Sequence, residues 1–77
     1  MKGVVDIELD LSGLRCPLPL LKTKQALNGM RSGQTIKVRA TDPGSVRDFQ
    51  VFADQSGNLL LEMQDLNGEF QYLLQKG

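Results

Sequence analysis

The chain is short, electrically balanced and poor in chemically versatile side chains: its 77 residues contain nine Lys or Arg, nine Asp or Glu, one cysteine and no histidine. Without histidine, Cys/His zinc sites and Ser–His or Cys–His catalytic pairs are excluded, and one cysteine cannot form an intrachain disulfide. No run approaches the roughly 18 apolar residues of a membrane span, and the early Asp6 is atypical of a signal peptide. We therefore expect one cytoplasmic domain over residues 1–77, without membrane association.

The N-terminal part of the chain predicts a strand followed by a helix. Apolar and acidic residues alternate from Val5 to Leu11, which predicts a strand with one buried and one exposed face. A helix is predicted to start at Pro17, with Cys16 as N-cap, or at Pro19, and to run to about Met30 or Arg31, because proline suits the first helical turn and apolar residues then recur at helical spacing. The residues predicted to face the core are Leu20, Thr23, Leu27 and Met30.

The remaining residues predict a strand, a second helix and a hairpin. Residues 35–41 alternate between apolar and basic, and Asp42 is predicted to cap a helix that ends at Gly57. Ser45 and Asp48 form an alternative capping pair. Two further strands, at 59–65 and 69–75, are joined by Asn67-Gly68, a strong hairpin signal.

The predicted order is β-α-β-α-β-β. Because every predicted strand has a single apolar face, only one side of the sheet can be covered, and both helices are expected there. The first β-α-β unit is expected to cross over right-handed. The sequence thus predicts an α+β fold, a two-layer sandwich in which a four-stranded mixed sheet carries both helices on one face.

Cys16 is the main candidate for a chemically reactive residue. It lies at the junction of the first predicted strand and the first predicted helix. A helix N-terminus and a neighbouring cation, Arg15, predict a thiol pKa moderately below its ordinary value of about 8.5. The N–H groups of Leu18 and Leu20 are expected to face the sulfur. Lone cysteines are often inert packing residues, so these arguments alone leave a reactive and a structural cysteine equally favoured.

A resemblance to a known family favours the reactive interpretation. The stretch Arg15-Cys16-Pro17-Leu18-Pro19 resembles the C-P-x-P signature of the TusA/SirA-like sulfur-carrier family. The resemblance continues through Lys24, the run Thr41-Asp42-Pro43-Gly44-Ser45-x-x-Asp48 and a terminal hairpin ending in Lys76. It implies the same β-α-β-α-β-β fold and a cysteine that receives a persulfide sulfur from a cysteine desulfurase. Leu18 stands where the tRNA-thiolation branch often has an acidic residue, which leaves the particular sulfur pathway open.

The resemblance also implies roles for particular residues. Cys16 is expected to carry the persulfide between a donor and a downstream acceptor protein, as a sulfurtransferase-type carrier without stand-alone catalysis. We expect a monomer that needs neither metal nor cofactor and binds no nucleic acid directly, since the net charge is zero. The alternative is a regulatory or adaptor module with a structural cysteine. The remaining expected site residues are Arg15, Lys24 and Asp42 for partner binding, and Pro17 and Pro19 for the structure of the motif.

Overall fold

The computed structural model describes residues 5–77 and contains six elements in the predicted order. Val5, expected in the first strand, precedes it. None of the helices among these residues has the length and apolar character needed to cross a membrane. The elements are β1 (Ile7–Leu11), α1 (Leu18–Asn28), β2 (Thr35–Ala40), α2 (Gly44–Ser56), β3 (Leu59–Leu66) and β4 (Glu69–Gln75).

The four strands form one mixed sheet in the order β1-β2-β4-β3. β1 and β2 run parallel with Leu11 opposite Ala40, whereas β4 pairs antiparallel with both β2 and β3. The mixed sheet is therefore confirmed. Since β1 and β2 are parallel, their C-terminal ends meet at one sheet edge, and the loops that lead into α1 and α2 begin side by side.

One face of the sheet packs against the helices and holds the hydrophobic core. Phe49 of α2 stacks on Tyr72 of β4, with ring centroids 4.2 Å apart and planes 9° from parallel. Such an aromatic pair contributes about 0.5–1.5 kcal/mol beyond its area burial. On the other face, Arg39 bonds Glu69 at 2.7 Å and lies 3.9 Å from Asp10. Other fully buried side chains include Thr23, Leu27, Ile36, Val38 and Leu74.

The starts of both helices differ from the sequence prediction. α1 begins at Leu18 with Pro17 as its N-cap, and Pro19 is buried in the first turn. α2 begins at Gly44 with Pro43 as its N-cap, and no side chain within the described part of the chain caps it with a hydrogen bond. The predicted capping role of Asp42 is therefore wrong, because proline occupies the N-cap position.

Candidate functional site

The candidate site lies at the sheet edge where the parallel strands β1 and β2 end. Residues 12–17 connect β1 to α1, and residues 41–43 connect β2 to α2. The N–H of Gly13 donates to Thr41 Oγ1 at 2.8 Å and ties the two loops together. Residues far apart in the chain, among them Cys16 and Asp42, are thereby brought to the same place.

Cys16 is exposed in the first of these loops, and its thiol is hydrogen-bonded to a carboxylate. Its Sγ donates to Oδ2 of Asp48 across 2.6 Å, a bond that joins the loop before α1 to the first turns of α2. The Cys16–Pro17 peptide bond is cis. Asp48 is half-buried, so the bond fixes the thiol against the second helix rather than leaving it free in the loop.

A second carboxylate, that of Asp42, lies beside the thiol. Among residues 5–77, Asp42 Oδ2 is buried without a hydrogen-bond partner. A Cβ placed on Gly44 would lie 2.9 Å from this oxygen and 3.7 Å from Cys16 Sγ. Glycine at position 44 therefore allows the thiol and the two carboxylates to share one small space.

The electrostatics of the thiol are opposite to those expected from the sequence. The hydrogen bond to Asp48, then desolvation and the negative charges of Asp48 and Asp42, raise the pKa of the Cys16 thiol above its ordinary value. The expectation of a lowered pKa is wrong. The N–H of Leu18 donates to the carbonyl of Arg15 at 2.8 Å, and the guanidinium of Arg15 is not among the charges that act on the thiol.

The groove between α1 and α2 holds Lys24, one of the predicted partner-binding residues. Its Nζ lies 5.4 Å from the ring centroid of Phe52. The same groove is lined by Asp48, so Lys24 and the hydrogen-bond partner of Cys16 share one surface. Arg15 is exposed in the loop next to Cys16. The further lining residues are Leu20, Arg47, Val51 and Gln55.

Asp48 is the functional candidate that sequence reasoning missed. It lies within the run that resembles the sulfur-carrier family, where the sequence predicts an alternative capping pair of Asp48 with Ser45. The structure gives both residues other partners: Asp48 bonds Cys16, and Ser45 Oγ donates to the carbonyl of Asp42 and bonds the Tyr72 hydroxyl. Within residues 5–77, no three His, Cys, Asp or Glu side chains are grouped as metal ligands.

Comparisons with known proteins agree on one family. Residues 7–76 match the family model described as sulfurtransferase TusA. The sulfur carrier protein TusA of Allochromatium vinosum is 56% identical over 71 residues, which cover 92% of this chain and 93% of the relative. TusA of Pseudomonas putida is 38% identical over 71 residues, with 92% and 89% covered.

The fold agrees with a solved structure as well. The crystal structure of a SirA-like protein from Desulfitobacterium hafniense superimposes with a TM-score of 0.78 at 26% sequence identity. The match covers 92% of this chain and 97% of the other. The α+β fold expected from the sequence is confirmed.

Proposed function

This chain belongs to the TusA sulfurtransferase family, and we propose that it carries a sulfane sulfur as a persulfide on Cys16. The observation that supports this most directly is the position of the thiol. Cys16 is the single cysteine in the sequence. It is exposed at the sheet edge where the parallel strands β1 and β2 end and their loops begin. Loops that connect strands to helices are a preferred location for functional groups.

The proposed reaction is a sulfur exchange without net oxidation. The sulfur of Cys16 attacks the outer sulfur of a donor persulfide, the S–S bond of the donor breaks, and the donor regains a thiol. An acceptor thiol later attacks the outer sulfur of the Cys16 persulfide in the same way. Because the chain has one cysteine, both partners must supply their own sulfur.

The proposed donor is a cysteine desulfurase or another persulfide-bearing protein, and the acceptor is a protein of tRNA thiolation or a related sulfur pathway. Such a carrier would act as a single-domain monomer in the cytoplasm, where thiols stay reduced. We propose that Arg15, Lys24 and Asp42 contact these partners. Lys24 has the stronger support, since it lines the groove that also contains Asp48.

The alternative is a protein-binding module in which Cys16 is structural. The hydrogen bond from Cys16 to Asp48 favours it, because a thiol held by a carboxylate keeps its proton and reacts slowly at neutral pH. The carrier is the better supported of the two, since the family match spans residues 7–76 and the sulfur is exposed.

The deciding experiment measures the intact mass of the protein after incubation with a cysteine desulfurase and cysteine. We expect a gain of one sulfur atom that dithiothreitol removes. Cys16→Ser should abolish the gain, because the hydroxyl provides no useful nucleophile near neutral pH. Circular dichroism of the variant checks that it is folded. A wild-type protein that stays unmodified with several desulfurases, while its thiol still alkylates, would favour the adaptor.

A further inference from the structure

We propose that the Asp48 carboxylate is a catalytic residue of this carrier, which takes the proton of the attacking thiol and returns it to the leaving sulfur. The proposal rests on the carrier function proposed above. Its geometric basis is the 2.6 Å hydrogen bond from Cys16 Sγ to Asp48 Oδ2, which places a carboxylate oxygen on the reacting atom. That distance is within the range required of a general base.

The chain needs such a group because its thiol is protonated at rest. Thiols are poor nucleophiles until they lose the proton, and the chain contains no histidine to accept it. The groups whose charges act on the thiol within residues 5–77 are Asp48 and Asp42. Of the two, Asp48 holds the hydrogen bond, whereas Asp42 Oδ2 has no hydrogen-bond partner among the described residues.

The proton moves only as the new S–S bond forms. A carboxylate is a weaker base than a thiolate, so the proton stays on the sulfur while no donor is present. When Cys16 Sγ bonds to the outer sulfur of the donor, its electron pair is used in the new bond and its proton passes to Asp48. The electron pair of the broken S–S bond goes to the inner sulfur of the donor, which takes the proton from Asp48.

Delivery repeats the exchange with the roles reversed. The acceptor thiol gives its proton to Asp48 as it bonds to the outer sulfur of the Cys16 persulfide. The inner sulfur of Cys16 leaves with the bonding electrons and regains a proton from Asp48. The overall change in each direction is one thiol and one persulfide exchanging a sulfur atom, and Asp48 gives up every proton that it accepts.

This role predicts opposite effects of one substitution on two reactions. Asp48→Asn removes the negative charge that disfavours the thiolate, so the thiol pKa should fall and alkylation by iodoacetamide at pH 7 should accelerate about threefold or more. Sulfur loading should instead slow about tenfold or more, because the proton acceptor is lost. If Asp48 had only a structural or only an electrostatic role, the rates of alkylation and of sulfur loading would change in the same direction.

The test uses glutathione persulfide as donor, which removes any contribution from protein docking. Intact mass measures the loading rate, and the pH profile of alkylation measures the thiol pKa. Asp54→Asn, on the exposed surface of the same helix, makes the same charge change and should alter neither rate. Asp48→Glu keeps a carboxylate at this position and should recover part of the loading rate. If Asp48→Asn does not fold, Asp48→Glu takes its place in the comparison with the wild-type protein.

Faster alkylation together with slower loading supports the proposal. Loading that accelerates in parallel with alkylation would overturn it, since Asp48 would then only suppress the thiolate. Unchanged loading in Asp48→Asn would also overturn it and leave the carrier function intact. A wild-type protein that gains no sulfur from glutathione persulfide or from a cysteine desulfurase would overturn the carrier function itself.

Discussion

At the scale of single residues, Ser45 connects the hydrophobic core to the candidate site. Its hydroxyl donates to the backbone carbonyl of Asp42 at 2.7 Å and is hydrogen-bonded to the Tyr72 hydroxyl at 2.7 Å. Ser45 and Tyr72 are each about 99% buried, and burial raises the pKa of the Tyr72 phenol. The position of Asp42 beside the thiol therefore depends on a buried polar pair.

We predict that Ser45→Ala destabilises the protein by about 1–3 kcal/mol, because it leaves the buried hydroxyl of Tyr72 without a partner. Tyr72→Phe should cost less, since Ser45 keeps its bond to Asp42 and the ring keeps its stacking on Phe49. The double variant should be more stable than the sum of the two changes predicts. Urea unfolding measures all three, and additive effects would contradict the coupling.

At the scale of elements, the two helices end in different ways. α2 ends at Ser56, and its C-cap is Gly57, where the sequence predicts the helix end; the φ of Gly57, 81°, lies in the left-handed region. α1 is followed by Gly29, which has a φ of −93° that any residue adopts. A Cβ on Gly57 would have no neighbour within 4 Å in the described range 5–77. The need for glycine at position 57 is therefore a backbone requirement and not a packing one.

We predict that Gly57→Ala lowers the free energy of unfolding by about 1 kcal/mol, the cost of a left-handed conformation for a residue with a Cβ. Gly29→Ala is the matched control at the other helix end. It should be neutral or stabilising by up to about 1 kcal/mol, because alanine reduces the entropy of the unfolded chain. Thermal or urea unfolding of the two variants tests the difference, and equal effects would argue against it.

At the scale of the whole molecule, the two surfaces carry their charges differently. On the open face of the sheet, Arg39 is neutralised by Asp10 and Glu69. On the helical side, Lys24 and Arg47 line the groove that also contains Asp48, the hydrogen-bond partner of the thiol. A partner that reaches Cys16 from the helical side would meet these cations, which is the basis for the docking role proposed for Lys24.

We predict that Lys24→Glu slows sulfur loading from a cysteine desulfurase, and that the effect weakens as salt rises. Its effect on stability should stay within about 1 kcal/mol, the value of an exposed cation–π contact with Phe52. Lys37→Glu makes the same charge change on the open face of the sheet and should load normally. If both variants loaded at the wild-type rate at low salt, Lys24 would have no docking role.

Much of the fold is determined by local sequence patterns. Alternation of apolar and polar residues predicts strands, helical spacing predicts helices, and Asn67-Gly68 predicts the hairpin, in which both residues have positive φ, 57° and 91°. These signals act within a few residues, so the order of elements, the mixed sheet and the end of α2 were predictable. The helix starts were not: the N-cap is Pro17 in α1 and Pro43 in α2, the latter one residue beyond the predicted cap Asp42.

The surroundings of Cys16 were decided by the tertiary structure alone. The sequence identifies the thiol and its two prolines, and it predicts a lowered thiol pKa from the helix N-terminus and the adjacent Arg15. The group that raises the pKa is Asp48, which lies 32 residues further along the chain. Periodicity indicates which side of a helix faces the core, but not which residue of another helix it meets. That pairing follows from the parallel alignment of β1 and β2, which brings the starts of both helices to one edge.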